Sequence, residues 1–245
     1  MIGLITATGF RADQFRLCQT WMARQTYRGE VVWVITDDCI PRTTDAVTDN
    51  FKENWTIIKV YPVPLWRPGL NTQARNIVAG IQILIDKYPA NDIEAIFIIE
   101  DDDYYRPIYL ERMMANLGDY DIIGERNTIY YNVAYRRHIT NCNTESSSLF
   151  QTAFKYNVLC ALNECLSCNF IDYHLWSKVL NKNLFYENDL SVGIKGMSGR
   201  GGIGGGHQDA MNMRPDPKLS YLNALIGEQD AALYAQYYRS GRIRR

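Results

Sequence analysis

Short apolar runs alternate with longer stretches of helical periodicity through the first hundred residues. Ile2 to Thr6 reads as a strand, and Thr8-Gly9-Phe10-Arg11 as a tight turn into a helix near Ala12 to Gln25, with Phe15, Leu17, Cys18, Trp21 and Met22 as its buried stripe. Val31 to Ile35 is a second apolar strand, and Trp55 to Val60 a third. The proline-punctuated loop Tyr61 to Pro68 then leads to a helix over Asn71 to Lys87, periodic through Ala74, Ile77, Val78, Ile81, Leu84 and Ile85. Ala95 to Ile99 is the fourth strand. This β-α-β-β-α-β order predicts an α/β fold, with a mostly parallel sheet flanked by helices on both faces.

Each strand leaves polar groups at its carboxyl end: Thr6 and Thr8, then Asp37 and Asp38, then Glu100, Asp101, Asp102 and Asp103. In open α/β sheets ligands collect at that edge. Four consecutive carboxylates after a buried strand are the strongest anomaly in the chain. Neighbouring acids about 6 Å apart repel by about 2–3 kcal/mol per pair at an effective dielectric near 20, so positive charge is expected beside them. All-oxygen ligands suit a hard divalent cation, Mn²⁺ or Mg²⁺. A solvated turn, with Asp103 capping a helix opened by Pro107, is the plainer alternative. Thr hydroxyls and the Asp37 carboxylate suit a nucleoside base and ribose, and Arg75, early in its helix, suits a diphosphate.

Composition narrows the class. The chain has 245 residues, 47% hydrophobic and 12% aromatic, enough for one sizeable core, and a net charge of −1 argues against a polyelectrolyte binder of nucleic acid or membrane. That exclusion lapses if Arg136, Arg137 and the basic tail (Arg239, Arg242, Arg244, Arg245) gather on one face. Met1 leads directly into a strand, no signal peptide is visible, and no apolar run approaches the roughly 20 residues of a membrane helix. A cytoplasmic protein with reduced thiols is expected. Cys160, Cys165 and Cys168 lack the second Cys-x-x-Cys pair of a zinc site and read as small hydrophobes.

The second half is more varied. Tyr120 to Ile123 and Thr128 to Tyr135 read as strands, Ser146 to Phe150 as a strand walling a second substrate, and Leu219 to Tyr238 as an amphipathic helix. Residues 193–207 hold eight glycines with Lys195, Arg200 and His207. Gly199, Gly201 and Gly204 match a dinucleotide fingerprint, but that motif belongs between a first strand and a helix. A mobile lid fits better, with Lys195 and Arg200 meeting a diphosphate.

These pieces together resemble a GT-A fold, nucleotide-sugar-dependent glycosyltransferase of the family-2 type. Thr6-Ala7-Thr8 and Val34 to Asp38 resemble its nucleotide-contacting strand ends, Asn71 to Asn76 its Ala-Arg-Asn helix, and Ile99 to Pro107 its acidic metal motif with trailing aromatic and proline. The resemblance implies a nucleotide-binding half over 1–120, an acceptor half over 121–217 with the lid at 193–207, and a C-terminal helix and tail over 218–245. It also implies a divalent metal and a nucleotide-sugar donor, most simply a UDP-sugar. If Glu100 opens the three-residue acidic motif, Asp102 is its direct metal ligand; in extended backbone those two share a face while Asp101 and Asp103 point away. His207 then matches the family's late metal-ligating histidine. Phe170 to Trp176 resembles the helix start carrying the catalytic carboxylate of inverting members, which places the general base at Asp172, with His174 and Asp189 as substitutes. Glu100 and Asp101 fall on the donor side.

The glycine-rich segment is similar to stretches of phage-encoded glycosyltransferases, which implies acceptors from a glycan or glycoconjugate to a hydroxymethylated pyrimidine of DNA. Two other classes are open. A metal-dependent nucleotidyltransferase typically needs a glycine-rich basic loop near the N-terminus, where Thr6 to Arg11 has one glycine. A silent sugar-nucleotide-binding module needs no base. Oligomeric state is not legible.

Overall fold

The computed structural model describes residues 1–47, 51–168, 170–187, 189–200 and 210–239. His207, the end of the predicted lid, and Arg242, Arg244 and Arg245 lie outside the described residues. The chain runs β1 (Ile2–Thr8), α1 (Ala12–Ala23), β2 (Val31–Asp37), β3 (Trp55–Val60), α2 (Gln73–Lys87), β4 (Ala95–Ile98), β5 (Tyr104–Tyr105), α3 (Tyr109–Leu117), β6 (Ile122–Glu125), β7 (Asn127–Asn132), β8 (Arg137–Cys142), β9 (Thr152–Phe154), α4 (Leu159–Cys165), α5 (Ile171–Lys178), β10 (Lys182–Phe185), β11 (Ser191–Lys195), β12 (Arg214–Pro215), α6 (Ser220–Ile226) and α7 (Glu228–Ala232).

A seven-stranded sheet has the order β10-β6-β9-β4-β1-β2-β3. β9 alone is antiparallel to its neighbours. Period-2 side-chain alternation assigns each central strand to two cores at once. Ile2 and Leu4 of β1, Val31, Trp33 and Ile35 of β2, and Ala95 and Phe97 of β4 pack with α1 and α3. Ile5, Val32, Val34, Ile96 and Ile98 pack on the other face with α2, α4 and α5. Burial on both faces is why these strands read as unbroken apolar runs.

A second, five-stranded sheet, β12-β8-β7-β11-β5, stands over the carboxyl ends of the first. β5 follows the four acids directly and pairs antiparallel with β11, Tyr105 opposite Ser191. β11 also pairs parallel with β7, Lys195 opposite Asn132. The late β11 is thereby locked beside the acidic turn.

Several expectations change. Ser146 to Phe150 is not a strand: it leads into a 3₁₀ turn over Leu149–Gln151, and the strand is Thr152–Phe154. Hydroxyls compete for the backbone there, with Ser147 Oγ donating to Glu125 O at 2.8 Å and Thr152 Oγ1 to Ser148 O at 2.9 Å. The helix expected over Leu219 to Tyr238 breaks at Gly227, whose φ of 85° no helix accommodates, into α6 and α7. All six cysteines are free thiols.

Glu125, at the end of β6, is fully buried; it accepts from Gln151 Nε2 at 3.0 Å and Leu190 N at 3.4 Å. Burial outweighs those hydrogen bonds and pushes its carboxyl up to about 8. The folded protein therefore holds a proton here that the unfolded chain releases near 4.5, so stability falls as pH rises between those values, by up to about 1.4 kcal/mol per unit. Glu125→Gln is expected to flatten that fall. Urea midpoints measured from pH 5 to 8 check it, and parallel curves for the two proteins would exclude the effect.

Candidate active site

The β1–α1 connection turns at Gly9, where the chain cannot carry a side chain. Its φ is 145°, and a Cβ would lie 2.2 Å from Asp38 Oδ1. The turn swings Arg11 back over the sheet edge, against the acids after β4. Arg11 Nη2 lies 2.5 Å from Asp102 Oδ2, and Nε 3.1 Å from Asp101 Oδ1. Burial works against the Arg11 charge, but Asp101 and Asp102 outweigh it and raise its pKa above the ordinary value.

Lys195, at the end of β11, is buried on the other side of the cluster, its ammonium 5.2 Å from the Tyr130 ring centroid. Burial again opposes its charge, while Asp103, Asp102 and Glu100 raise its pKa. The positive charge expected beside the acids is thus supplied in part by two side chains of the protein. Neither was assigned to the acids from the sequence. A lone arginine in the turn opposite four carboxylates was the available signal for the first.

The register predicted for the acids holds for Glu100, Asp101 and Asp102 but not for Asp103. β4 ends at Ile98, and residues 100–103 form a turn closed by Asp103 N donating to Glu100 O at 3.4 Å. Extended-chain alternation therefore lapses at Asp103. Asp103 joins Glu100 and Asp102, and one carboxylate oxygen from each lies within 4.8 Å of the others. Asp101 instead accepts from Thr8 Oγ1 at 2.7 Å and faces Arg11. Burial raises the Asp101 carboxyl to about 7 and the Asp103 carboxyl well above its usual range. Asp103 caps no helix: its Oδ1 accepts from Ile194 N at 2.8 Å, and its Oδ2 is buried with no hydrogen-bond partner among the described residues. Glu100 accepts from Gln73 Nε2 at 2.9 Å. An all-oxygen donor set with an unpartnered buried carboxylate oxygen fits a hard divalent cation.

Breaking the Arg11 contacts removes the cation that faces the buried Asp101 and Asp102 carboxylates. Arg11→Met is expected to destabilise the fold by about 3–5 kcal/mol, measured by urea denaturation with a chelator present. An unchanged midpoint would mean the acids find compensation elsewhere.

At the nucleotide-side edge, Asp38 rather than Asp37 is the shared acceptor. Asp37 is buried and bonds Cys39 N at 3.2 Å and Thr44 N at 2.9 Å, pinning the turn after β2. Asp38 is reached by Asn76 Nδ2 at 2.9 Å, Arg75 Nη2 at 3.0 Å, Arg200 Nη1 at 2.8 Å and the Thr72 hydroxyl. Arg75 is therefore spent on Asp38, Asn76 and Pro64 O, and does not line the cavity. Thr6 points into the core, where Trp33 Nε1 donates to its hydroxyl at 2.9 Å. Sequence alternation alone could not tell Asp37 from Asp38, because both follow the strand expected over Val31 to Ile35, whereas β2 runs through Asp37.

Arg200 crosses from the glycine-rich segment to Asp38 and stacks over the Trp66 ring at 4.8 Å. Gln14 Nε2 donates to Ser198 O at 2.8 Å. The first residues of the predicted lid are thereby tied to the first sheet's edge.

These groups line one cavity of about 1040 Å³, the upper end of what a ligand site needs. Thr8, Arg11, Trp66, Gln73, the three acids Glu100 to Asp102, Lys195 and Arg200 lie along it, and so do Phe170, Cys168 and Asp172. Asp172 sits in the first turn of α5, its Oδ1 accepting from Tyr173 N at 2.9 Å. Burial raises its carboxyl above the usual range, against the hydrogen bonds it accepts from backbone amides. Of the substitutes, Asp189 pairs with Arg106 at 3.5 Å and His174 packs edge-on to Tyr173, and neither lines the cavity.

Comparison with known proteins bears on the fold. Neither a protein-family model nor a curated protein matches the sequence. Among solved structures, the chain resembles S. aureus TarS residues 1–349 in complex with UDP, at TM-score 0.54 and 12% identity over 79% of this chain and 60% of that one. The UDP-GlcNAc complex of the same TarS region gives TM-score 0.54 and 10% identity, over 79% of this chain and 58% of that one. A further TarS structure is matched at TM-score 0.50 and 11% identity, over 79% and 36%. The fold is of the GT-A type. The match spans no more than 60% of the length of these TarS chains. Among the described residues, no helix is long and apolar enough to cross a membrane.

Proposed function

We propose that the protein is a nucleotide-sugar-dependent glycosyltransferase that moves a sugar from a nucleoside diphosphate donor to a hydroxyl acceptor. The observation that carries this reading is one cavity at the carboxyl ends of the parallel strands. It has carboxylates and cations along one stretch of its wall and a separate carboxylate, Asp172, on another. A binding module has no use for the second acid. The resemblance to TarS in complex with UDP and UDP-GlcNAc supports a UDP-sugar as donor.

Roles follow from chemistry. Thr8, Gln73 and Trp66 line the donor end, while Asp38 braces it through Arg75, Asn76 and Arg200. Glu100, Asp102 and Asp103 would hold a divalent cation, Mn²⁺ or Mg²⁺, with His207 a further candidate ligand. When bound, such a cation neutralises the negative charge of a leaving diphosphate. Lys195, Arg11 and Arg200 add fixed positive charge along the same wall, placed before reaction and so costing no reorganisation.

Asp172 acts as general base, taking the proton of the acceptor hydroxyl while that oxygen attacks the anomeric carbon and the diphosphate departs. Attack from the face opposite the leaving group inverts the anomeric configuration. The acceptor hydroxyl belongs to a glycan or glycoconjugate, or to a hydroxymethylated pyrimidine of DNA. The test is a panel of nucleotide sugars with Mn²⁺, scored by thermal shift and UDP release, with NMR of the product anomer. A UDP-sugar should raise the melting temperature and be turned over. No response to any donor would overturn the reading.

A further inference from the structure

A chain of hydroxyls runs from the buried end of β6 to the cavity wall, and its direction is set at a main-chain carbonyl. Gln151 is fully buried, and its Nε2 donates to Asn127 O and to Glu125 Oε2, each at 3.0 Å. A carbonyl oxygen can only accept, so the orientation of the amide is fixed whatever the charge on Glu125. Gln151 Oε1 then accepts from Thr128 Oγ1 at 2.7 Å.

The order propagates outwards. Thr128 Oγ1 has one proton, already given to Gln151, and it accepts from Asn143 Nδ2 at 3.0 Å. Its contact with Ser148 Oγ at 3.2 Å therefore takes the serine proton. Ser148 Oγ, its own proton committed, accepts from Tyr130 Oη at 2.9 Å. Any other order leaves two of these oxygens in contact with no proton between them. The Tyr130 phenol thus spends its single proton inside the wall and keeps only lone pairs for a ligand.

Tyr130 and Ser148 both line the cavity. Tyr130 stands opposite Ile139 and Thr128 opposite Asn141 across the β7–β8 ladder, so the four share a face, and Ile139 and Asn141 line the cavity as well. On the other side of β7, Gly193 pairs with Tyr130, and a Cβ there would lie 2.4 Å from the ring's Cδ1. The missing side chain lets the ring lie against the β11 backbone. Lys195, two residues further along β11, has its ammonium 5.2 Å from the ring centroid. Leu149, next to Ser148, bonds Asp172 through its backbone amide. The phenol and serine are thus tied both to the cation beside the acids and to the proposed base.

We propose that Tyr130 is a specificity-determining residue whose oxygen, able only to accept, selects a donor sugar that presents a free hydroxyl to it, an inference that rests on the transferase reading above. A sugar whose diphosphate lies at Lys195 and whose anomeric carbon faces Asp172 passes this stretch of wall. Its hydroxyl gives a proton to the phenol oxygen. Fluorine or an ether oxygen at the same position sets lone pair against lone pair, and hydrogen leaves the phenol oxygen unmet.

The test uses the full chain with Mn²⁺ and four probes, UDP-glucose, UDP-galactose and their N-acetylated counterparts, with analogues of each that carry fluorine or hydrogen in place of one free sugar hydroxyl. Binding is measured by calorimetric titration. At one ring position fluorine and hydrogen should each weaken binding by about tenfold or more, as expected when a buried hydrogen-bond partner is left unmet. Tyr130→Phe should bind hydroxyl, fluoro and deoxy donors alike at that position, and its affinity for UDP alone should match that of the unaltered protein, which shows that the fold and the nucleotide end are intact. Ser148→Ala frees the phenol proton, so it should narrow the hydroxyl-to-fluorine ratio by at least about threefold. A residue that only packs would leave that ratio where it was. Three patterns overturn the inference alone: no sensitive position on a sugar that binds, sensitivity to hydrogen but not to fluorine, or sensitivity that survives in Tyr130→Phe. Absence of binding by all four probes overturns it together with the UDP-sugar reading.

Discussion

Asp102→Asn is expected to cut metal-dependent release of UDP from a UDP-sugar by at least about 10²–10³-fold, the scale on which one preorganised charge contributes to a transition state. Asp102 has 8% of its surface exposed and is held by Arg11 Nη2, with Glu100 and Asp103 close by. The amide keeps the shape and removes a charge from the donor set. Two measurements separate chemistry from folding. Calorimetric titration with Mn²⁺ should show weakened binding, and the urea midpoint should fall far less than in the Arg11 variant, because Arg11 keeps its contact with Asp101. Retained Mn²⁺-stimulated turnover would remove Asp102 from the metal set and shift the role to Glu100 and Asp103.

Asp172→Asn should lower sugar transfer by about 10²–10⁴-fold, the range of a general-base step, while the thermal shift with UDP stays unchanged. The pH profile supplies the sign. Burial holds the Asp172 carboxyl above its usual range, and only the carboxylate accepts a proton. Transfer by the unaltered protein therefore falls as pH drops through that raised value, and the residual rate of the variant should lose this limb. A variant that keeps full transfer would move the base elsewhere in the cavity wall.

Much of the first half was legible because local rules suffice there. Helix α2 spans Gln73–Lys87 and buries Ile77, Ile81 and Leu84, as a 3.6-residue period dictates. β3 occupies Trp55–Val60 as its apolar run indicates. The C-terminal region misled the same rules, because one Gly227 with positive φ outweighs the amphipathic stripe on either side of it. The four acids were located but not resolved. Period-2 reasoning assumed extended backbone through Asp103, whereas the strand stops at Ile98 and the turn regroups Asp103 with Glu100 and Asp102.

The sequence by itself therefore determined the layers and the edge at which chemistry belongs. Strand and helix faces are set by side-chain period and burial, properties that neighbouring residues carry alone. Only the tertiary structure decided what stands around Glu100 to Asp103. The Arg11 contacts with Asp101 and Asp102, the Ile194 bond to Asp103 and the Arg200 bond to Asp38 join residues about 90 to 162 positions apart. Such pairings depend on which strand ends the sheet order brings together, and here β5 and β11 carry Lys195 back to acids that local pattern left without partners.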